Sequence, residues 1–423
     1  MNKEIYITGA GVVSAIGMGK SATIDAIRNQ RSGVEPIRYL KTIHTDFPVG
    51  EVKFSNDELH EMLHIPPSEA YIRSSLLAIP AVKEALQQAR LDNSTGMGAG
   101  VCESRCAESA LKKAQLDGRS SLRVAFLSGI TVGGMDRAEM MYMDFLNNDL
   151  GNDYIELNDC GACTEQIADY IGGFSMVSTV VTACSSSANS IMMGADMIKQ
   201  GRADIVVAGG TECLSRYHVN GFNTLMILDR ELCKPFDRDR AGINLGEGAG
   251  YLVLESAESA KKRGVTPIGK VSGYSNVCDA FHPTASSPDG LGPYLAMKGA
   301  VENAGLKPED IDYINAHGTG TPNNDITEGL AAMRLFGDNV PPVSSLKAYT
   351  GHTTSAAGGF EAVVSLLVLE NNFLPVNMNF RNKIEEHTFV PVTNPEPLRP
   401  IRHILSNSFG FGGNDSAIVF SSV

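Results

Sequence analysis

The stretch STVVTACSSSANSIMMGADMIKQG, residues 178–201, passes from a run of Val and Thr into a helical pattern of small residues. β-Branched residues favour a strand, and the pattern that follows favours a helix. Cys184 stands at this transition. Because a helix leaves its first N–H groups unpaired and carries partial positive charge there, the pattern predicts a thiolate nucleophile. The alternative is a buried, inert thiol.

The same alternation of strand and helix patterns continues along the chain. Strand-like and helical runs include EIYITGAGVVS, ADIVVAGGTE, GYLVLES, residues 74–89 and LGPYLAMKGAVENAG. This alternation predicts an α/β fold. The later part of the chain repeats the alternation of strand and helix patterns seen in the earlier part, so we predict two similar halves, residues 1–256 and 257–423. The charged segment 256–264 would join them, and without a Pro- or Ser-rich linker the halves should pack as one body.

Composition excludes several classes of function. The chain has 423 residues and a net charge of −13. Nucleic-acid and anionic-membrane surfaces need a basic excess, so neither partner is expected. No apolar run approaches the ~18 residues of a membrane span, and the start MNKEIYITGAG shows no signal sequence. We therefore expect a cytoplasmic protein.

Eight cysteines in a chain of this length do not resemble a disulfide framework. Cys160 with Cys163, and Cys102 with Cys106, have spacings that a zinc site could use. The CxxC pair lacks the second close Cys/His pair of a ribbon-type site, so we expect reduced thiols and no metal.

GAGVVSAIG, residues 9–17, resembles a dinucleotide-binding turn. Ser14 stands where the third glycine should be, and no acidic strand end follows at the required distance. The segment is therefore predicted to be a structural strand-to-helix turn.

Two glycine- and threonine-rich turns carry histidines. NAHGTGTPNND, residues 315–325, places His317 at the end of an apolar strand, and LKAYTGHTTSAAGG supplies Lys347 and His352. Neutral imidazoles can donate to an oxyanion or accept a proton near pH 7, which a thiolate enzyme acting on carbonyl groups requires. Lys347 is predicted to be buried and ion-paired, with Asp325 and Glu328 as available partners.

The segment NSFGFGGNDSAIVF, residues 407–420, places a glycine-dense turn between two apolar runs. Its glycines would let backbone N–H groups face a ligand, and Phe409 and Phe411 could cover an apolar channel. A plain hairpin would explain the glycines but not these aromatic residues.

Taken together, VTACSSSA, NAHGTGTP, LKAYTGHTTSAAG and NSFGFGG resemble the signatures of the elongating β-ketoacyl-acyl carrier protein synthases of the thiolase superfamily. Residues 232–250 and 278–290 match two further segments of that family. The resemblance covers essentially the whole chain. It implies a five-layered αβαβα fold of two related halves, a homodimer, acyl carrier protein as partner, and no cofactor or metal.

The resemblance also implies a role for each site residue. Cys184 would accept the acyl group, and His317 and His352 would bind the malonyl thioester carbonyl and promote loss of CO2. Lys347 and Glu361 would be the supporting lysine and glutamate. Phe411 would gate the site, and its backbone N–H would form the oxyanion hole with that of Cys184.

Relatives with other chemistry match less well. A thiolase would carry a second cysteine in FGFGGND, an initiating synthase would have asparagine in place of His352, and the inactive chain-length subunits lose the cysteine. An alternative within the class is a dedicated polyene or polyketide ketosynthase paired with a partner subunit.

Two departures from the family pattern stand out. GGTN reads here as residues 412–415, GGND, and PSEAYIR retains only Arg73 of the basic pair that meets the carrier. Other candidate docking residues are Arg119, Arg123, Arg216 and Lys270.

Overall fold

The computed structural model describes residues 4–91 and 122–423. Its strands are β1 (Ile5–Ser14), β2 (Gly17–Met18), β3 (Val124–Gly129), β4 (Met176–Val180), β5 (Ile205–Glu212), β6 (Gly248–Ser256), β7 (Gly269–Cys278), β8 (Tyr313–Asn315), β9 (Val343–Ser344), β10 (His403–Gly410) and β11 (Asn414–Ser421). Its helices are α1 (Lys20–Arg28), α2 (Asn56–Met62), α3 (Arg73–Gln88), α4 (Met135–Asn148), α5 (Asn152–Glu156), α6 (Cys160–Ile171), α7 (Ser186–Lys199), α8 (Arg216–Thr224), α9 (Ala257–Arg263), α10 (Leu291–Asn303), α11 (Pro322–Phe336), α12 (Lys347–Thr350) and α13 (Ala357–Asn371).

The strand order repeats itself. The earlier strands lie in the order β4-β3-β5-β6-β1 and the later ones in the order β9-β8-β10-β11-β7. In each set the first two neighbouring pairs are parallel and the last two are antiparallel. Three residues of β1 pair with β7 and join the two sets. The predicted α/β fold of two similar halves is therefore confirmed.

Alternating side chains divide the core into layers. On β6, Leu252 and Leu254 belong to the cluster shared with α7 and α13, whereas Tyr251 and Val253 face the cluster of α3. A strand places successive side chains on opposite faces, so each sheet is covered on both sides. Helices α7 and α13 lie between the sheets, α3 and α6 cover one outer face, and α10 and α11 cover the other. The three groups of helices and the two sets of strands therefore form five layers.

Two glycines of the segment 9–17 serve packing rather than a turn. Gly9 and Gly11 lie inside β1, and a Cβ atom there would come within 2.0 Å of Ala85 O and 1.9 Å of Ala81 O, respectively. These two glycines allow α3 to pack against the strand. The predicted turn is confined to residues 15–16, between β1 and β2, and α1 begins just beyond β2 at Lys20.

Helix α9 follows β6 directly, within the segment predicted to join the halves. A boundary between residues 256 and 257 stays a prediction. Among the described helices, none has both the length and the apolar character that a membrane span requires.

Candidate active site

Cys184 lies between β4 and α7, in the short 3₁₀ turn Ala183–Ser185. Ala183 adopts φ +54°, a left-handed conformation that non-glycine residues seldom take. This turn leads into the first N–H groups of α7. The side chain of Cys184 is only 5% exposed, because residues from both halves cover it.

His352 is the immediate neighbour of the sulfur. Its Nε2 atom lies 3.0 Å from Sγ of Cys184. Burial raises the pKa of the thiol to about 11, although the charge of Lys347 and hydrogen bonds from the backbone of Phe411 and Cys184 oppose this. Loss of hydration therefore opposes the resting thiolate that the helix end favours, and the thiolate stays a prediction. The raised pKa favours a neutral thiol at rest, beside the imidazole of His352.

His317 lies just beyond β8, with its ring centroid 5.3 Å from that of His352 and its ring nearly perpendicular. Burial, the charge of Lys347 and the other imidazole hold the pKa of His317 well below its usual value. Burial, Lys347 and His218 do the same for the pKa of His352. Both rings are thus neutral near pH 7, and a neutral ring can donate one N–H group.

Glu328 fixes the turn of the first histidine. Its two carboxylate oxygens accept hydrogen bonds from the backbone N–H groups of His317 at 2.9 Å and Gly318 at 2.8 Å. Asn407 donates to the same carboxylate at 2.9 Å. The sequence offered Glu328 only as a partner of Lys347, so this role was missed. Its position nearly two helical turns into α11, with its carboxylate on the loop that precedes the helix, is the signal that could have indicated it.

Lys347 is buried and paired, but with neither carboxylate that its spacing suggested. Its Nζ lies 2.8 Å from Oε1 of Glu361 on α13. Asp325 instead accepts the backbone N–H groups of Phe236 and Gly320. The interpretation with Asp325 or Glu328 was wrong, whereas Glu361 is the residue that the resemblance implied. Burial raises the pKa of Glu361, and the positive charge of Lys347 opposes the shift.

The two phenylalanines of the β10–β11 turn have different surroundings. Phe411 is partly exposed and stacks on Phe222 of α8, with ring centroids 5.7 Å apart. Phe409 is buried in the outer core, with its ring 5.8 Å from that of His317. Only Phe411 therefore lies where it could cover a channel.

The altered motif at residues 412–415 comprises the end of this turn and the start of β11. Oδ1 of Asn414 accepts hydrogen bonds from Ser185 at 2.7 Å, Asn189 at 2.8 Å and Asn276 at 2.6 Å, which connect it to the start of α7. Asp415 is 2% exposed, and its Oδ2 has no hydrogen-bond partner among the described residues. Burial, with Asp279 and Glu328 nearby, raises its pKa to about 8.

The basic residues considered for docking are largely engaged within the chain. Arg73 is buried, and its Nη2 lies 2.6 Å from Oε1 of Glu247. It is therefore not available to a carrier protein. Arg123 pairs with Asp204. Lys270 pairs with Glu4, Arg216 donates to the carbonyl of Lys41, and Arg119 lies outside the described residues.

The described cysteines are unpaired thiols. Burial raises the pKa of Cys160 to about 11, and Sγ of Cys163 lies 3.4 Å from Oγ of Ser75. Within residues 4–91 and 122–423, no three His, Cys, Asp or Glu side chains form a group suited to a metal ion. Cys102 and Cys106 lie outside the described residues.

Comparison with known protein families identifies the family of this chain. The profile of the Beta-ketoacyl synthase, N-terminal domain, matches residues 2–260, and that of the C-terminal domain matches residues 268–381. The chain belongs to the beta-ketoacyl synthase family.

A relative and two solved structures are similar over nearly the whole length. The 3-oxoacyl-[acyl-carrier-protein] synthase 2 of Staphylococcus aureus (strain N315) is 31% identical over 99% of this chain and 98% of its own. The ishigamide ketosynthase/chain length factor is 29% identical, with TM-score 0.87 and full coverage of both chains. The structure described as AntDE:AntF, a type II PKS acyl-carrier protein in complex with its ketosynthase bound to the hexaketide, is 27% identical, with TM-score 0.82 and full coverage of both chains.

Proposed function

We propose that this chain is a 3-oxoacyl-[acyl-carrier-protein] synthase, an acyltransferase that extends an acyl chain by two carbons through decarboxylative condensation. One observation carries the proposal. Sγ of Cys184 lies 3.0 Å from Nε2 of His352, and the ring of His317 lies 5.3 Å from that of His352. A nucleophile beside a base, with a second N–H donor nearby, suits acyl transfer followed by stabilisation of an enolate.

In the first half-reaction, Sγ of Cys184 attacks the thioester carbonyl of an acyl carrier protein. The thiol proton passes to His352 and then to the departing carrier thiol as the carbon–sulfur bond to the carrier breaks. Backbone hydrogen bonds from Phe411 and Cys184 reach the sulfur in the resting site. In the tetrahedral intermediate, the same N–H groups would stabilise the oxyanion.

In the second half-reaction, the bond between C2 and the carboxylate of malonyl-carrier protein breaks and CO2 leaves. The electron pair forms an enolate, whose oxygen accepts hydrogen bonds from His317 and His352. C2 then attacks the acyl carbonyl, the bond to Cys184 breaks with its electron pair on sulfur, and the thiolate takes up from solvent the one proton that the overall reaction consumes. Lys347 and Glu361 support the two rings as a buried ion pair. Apart from that proton from solvent, no further reactant is needed.

The test is acyl transfer itself. The protein is mixed with acyl carrier protein thioesters and its intact mass is measured. We expect wild type to gain one acyl mass and Cys184→Ala to gain none. Failure of wild type to gain acyl mass, or full condensation by Cys184→Ala, would refute the proposal.

The expected partner is an acyl carrier protein, which approaches the turn of Phe411 rather than the buried Arg73. A homodimer is proposed because β4 ends the sheet with Met176 and Val177 partly exposed on it, and apolar edge strands favour pairing with another chain. The net charge of −13 disfavours nucleic acid and anionic membranes. Reduced thiols fit a cytoplasmic location.

A second candidate is a dedicated polyene or polyketide ketosynthase that works with a chain-length partner subunit. The high similarity to a ketosynthase/chain length factor structure favours it, as does the changed motif at residues 412–415. Co-purification with the products of neighbouring genes distinguishes the two. A stable complex with a cysteine-less homologue would support this candidate, whereas an active homodimer would support fatty-acid elongation.

A further inference from the structure

The two segments that carry the backbone N–H groups of the proposed oxyanion hole lie far apart in the chain. One is the nucleophile turn, Ala183–Ser185, which holds Cys184, and the other is the β10–β11 turn, residues 411–413, which holds Phe411. Two N–H groups stabilise an oxyanion only when both lie about 2.7–3.1 Å from the same position. The proposed reaction therefore depends on how these two segments are placed relative to each other.

The end of β10 packs closely against the nucleophile turn. A Cβ atom on Gly410 would lie 2.9 Å from the carbonyl oxygen of Thr182 and 3.2 Å from Oγ of Ser185, so the backbone of Gly410 lies almost on that turn. Gly410 is also the register partner of Asn414, the first residue of β11. Both strand ends that flank the β10–β11 turn therefore lie beside the start of α7.

The side chain of Asn414 connects this junction from the second strand. Its Oδ1 atom lies 2.7 Å from Oγ of Ser185, the residue after Cys184, and accepts a hydrogen bond from Nδ2 of Asn189 at 2.8 Å. Nδ2 of Asn276, on β7, donates to the same oxygen at 2.6 Å. One side-chain oxygen thus joins the start of β11 to the nucleophile turn, the first helical turn of α7 and the neighbouring strand.

The tip of the β10–β11 turn is held in another direction. The N–H group of Gly412 donates to the carbonyl oxygen of Pro283, in the loop after β7, at 2.7 Å. Among the described residues, no heavy atom lies within 4 Å of the position that a Cβ atom on Gly412 would take. The tip therefore points toward that loop and open space, and the base of the turn, at Asn414, connects it to the nucleophile turn.

We infer that Asn414 is a positioning residue that keeps the backbone N–H groups of Phe411 and Cys184 directed at one oxyanion. This inference rests on the proposed function. Without the amide oxygen, the N–H groups of Asn189 and Asn276 lose an acceptor, and the start of β11 is free to shift away from α7. A displacement of about 1 Å in an active site can slow catalysis about 10²-fold.

The experiment compares two reactions of Cys184 in wild type and in Asn414→Ala. Transfer of the acyl group from octanoyl-pantetheine passes through an oxyanion, whereas alkylation by iodoacetamide does not. The saturating rate of acyl transfer, followed by intact mass, should fall about 10- to 100-fold in Asn414→Ala, with KM within about threefold of wild type. Alkylation should fall much less.

Three outcomes contradict the inference, and each has a different meaning. Acyl transfer at the wild-type rate in Asn414→Ala, or a loss that lies in KM alone, would show that the amide does not act on the transition state. Equal fold losses in acyl transfer and alkylation would show that the variant disturbs the thiol and not the oxyanion hole. If wild type itself is not acylated, the proposed function fails and this inference with it.

Further variants separate positioning from stability. Asn414→Asp keeps the acceptor oxygen and should retain more of the acyl-transfer rate than Asn414→Ala. Asn189→Ala removes a donor on the helix and should show the same split between the two reactions, to a smaller extent, even if Asn414→Ala folds poorly. A larger loss of acyl transfer in Asn414→Asp than in Asn414→Ala would overturn the inference.

Ser416→Ala is the matched control. Its hydroxyl group bonds to the same two asparagines, at 3.0 Å to Asn189 and 2.8 Å to Asn276, but among the described residues it forms no hydrogen bond to the nucleophile turn. The variant should lose stability in urea and keep the wild-type rate of acyl transfer. A loss of rate as large as that in Asn414→Ala would show that any break in this network has the same effect, and would overturn the inference.

Discussion

Each half of the molecule begins its central helix with the same turn, yet the two turns have different surroundings. The 3₁₀ turns Ala183–Ser185 and Thr354–Ala356 lead directly into α7 and α13. The first residue of each turn has a positive φ, +54° in Ala183 and +44° in Thr354. The backbone frame is therefore shared, and its second position holds Cys184 in one half and Ser355 in the other.

The neighbours of that second residue differ. Sγ of Cys184 faces Nε2 of His352, whereas Oγ of Ser355 donates to Oε2 of Glu212 at 2.7 Å and lies 3.0 Å from the carbonyl of Thr211. One side chain is poised beside a base, and the other has its donor committed to an internal hydrogen bond. Under the proposed function, the reactivity of Cys184 would thus depend on the residues that the opposite half brings to the turn, not on the turn alone.

The strongest test of this comparison is to remove the side chains of Cys184 and Ser355 one at a time. Cys184→Ala should lower condensation at least ~10³-fold, because the covalent route is lost. Ser355→Ala should still become acylated, but should lose about 1–3 kcal/mol of stability because Glu212 loses a hydrogen-bond donor. Intact mass reports acylation, and urea unfolding reports stability. Loss of acylation in a folded Ser355→Ala protein would contradict the assignment.

The next prediction distinguishes the roles of the two imidazoles, His317 and His352. Removing one donor to a developing oxyanion typically costs about 10²–10³-fold, so His317→Ala and His352→Ala should each slow CO2 release from malonyl-carrier protein by that factor. Only His352 touches the sulfur, so only its variant should change alkylation of Cys184 by iodoacetamide.

The pH profile of that alkylation is a related check. Since the pKa of Cys184 is raised to about 11, the thiolate fraction in wild type should rise about tenfold per pH unit from pH 7 to 10. A plateau near pH 7 would show that a thiolate rests in the site, as the sequence alone suggested.

Local patterns predicted the elements and the turns well, but not the contacts between halves. The helix expected at 74–89 spans Arg73–Gln88, because its apolar spacing is a property of the segment itself. The protonation of Cys184 and the partner of Lys347 depend on residues far along the chain. Spacing suggested Asp325 or Glu328 for that lysine, and only the resemblance pointed to Glu361. Burial by the other half is not encoded in any local window.

The contribution of the buried ion pair of Lys347 and Glu361 to stability can be compared with that of an exposed ion pair. Lys347→Met leaves Glu361 buried without its partner, which should cost about 3–5 kcal/mol. Lys53→Met removes the 2.9 Å pair with Glu35 at the surface and should change stability little. Urea unfolding of both variants is the measurement. Equal losses of stability in the two variants would show that the buried pair of Lys347 and Glu361 contributes no more to stability than the exposed pair.

The last prediction concerns Asp415, which follows the turn of Phe411 and stands where the GGTN motif of the resemblance has asparagine. Its pKa is raised to about 8, so the folded protein keeps the carboxyl protonated while the unfolded chain ionises above about pH 4. The resulting loss of stability grows as the pH rises and is complete above pH 8. Asp415→Asn should therefore stabilise the protein more at pH 8.5 than at pH 5.5, with the gain rising by up to about 1.4 kcal/mol per pH unit until pH 8. Asp279→Asn removes a facing charge and should produce part of the same trend. A gain in Asp415→Asn that does not change with pH would show that the carboxyl is already ionised in the folded protein, and hence that this region is better hydrated than the buried turn of Cys184.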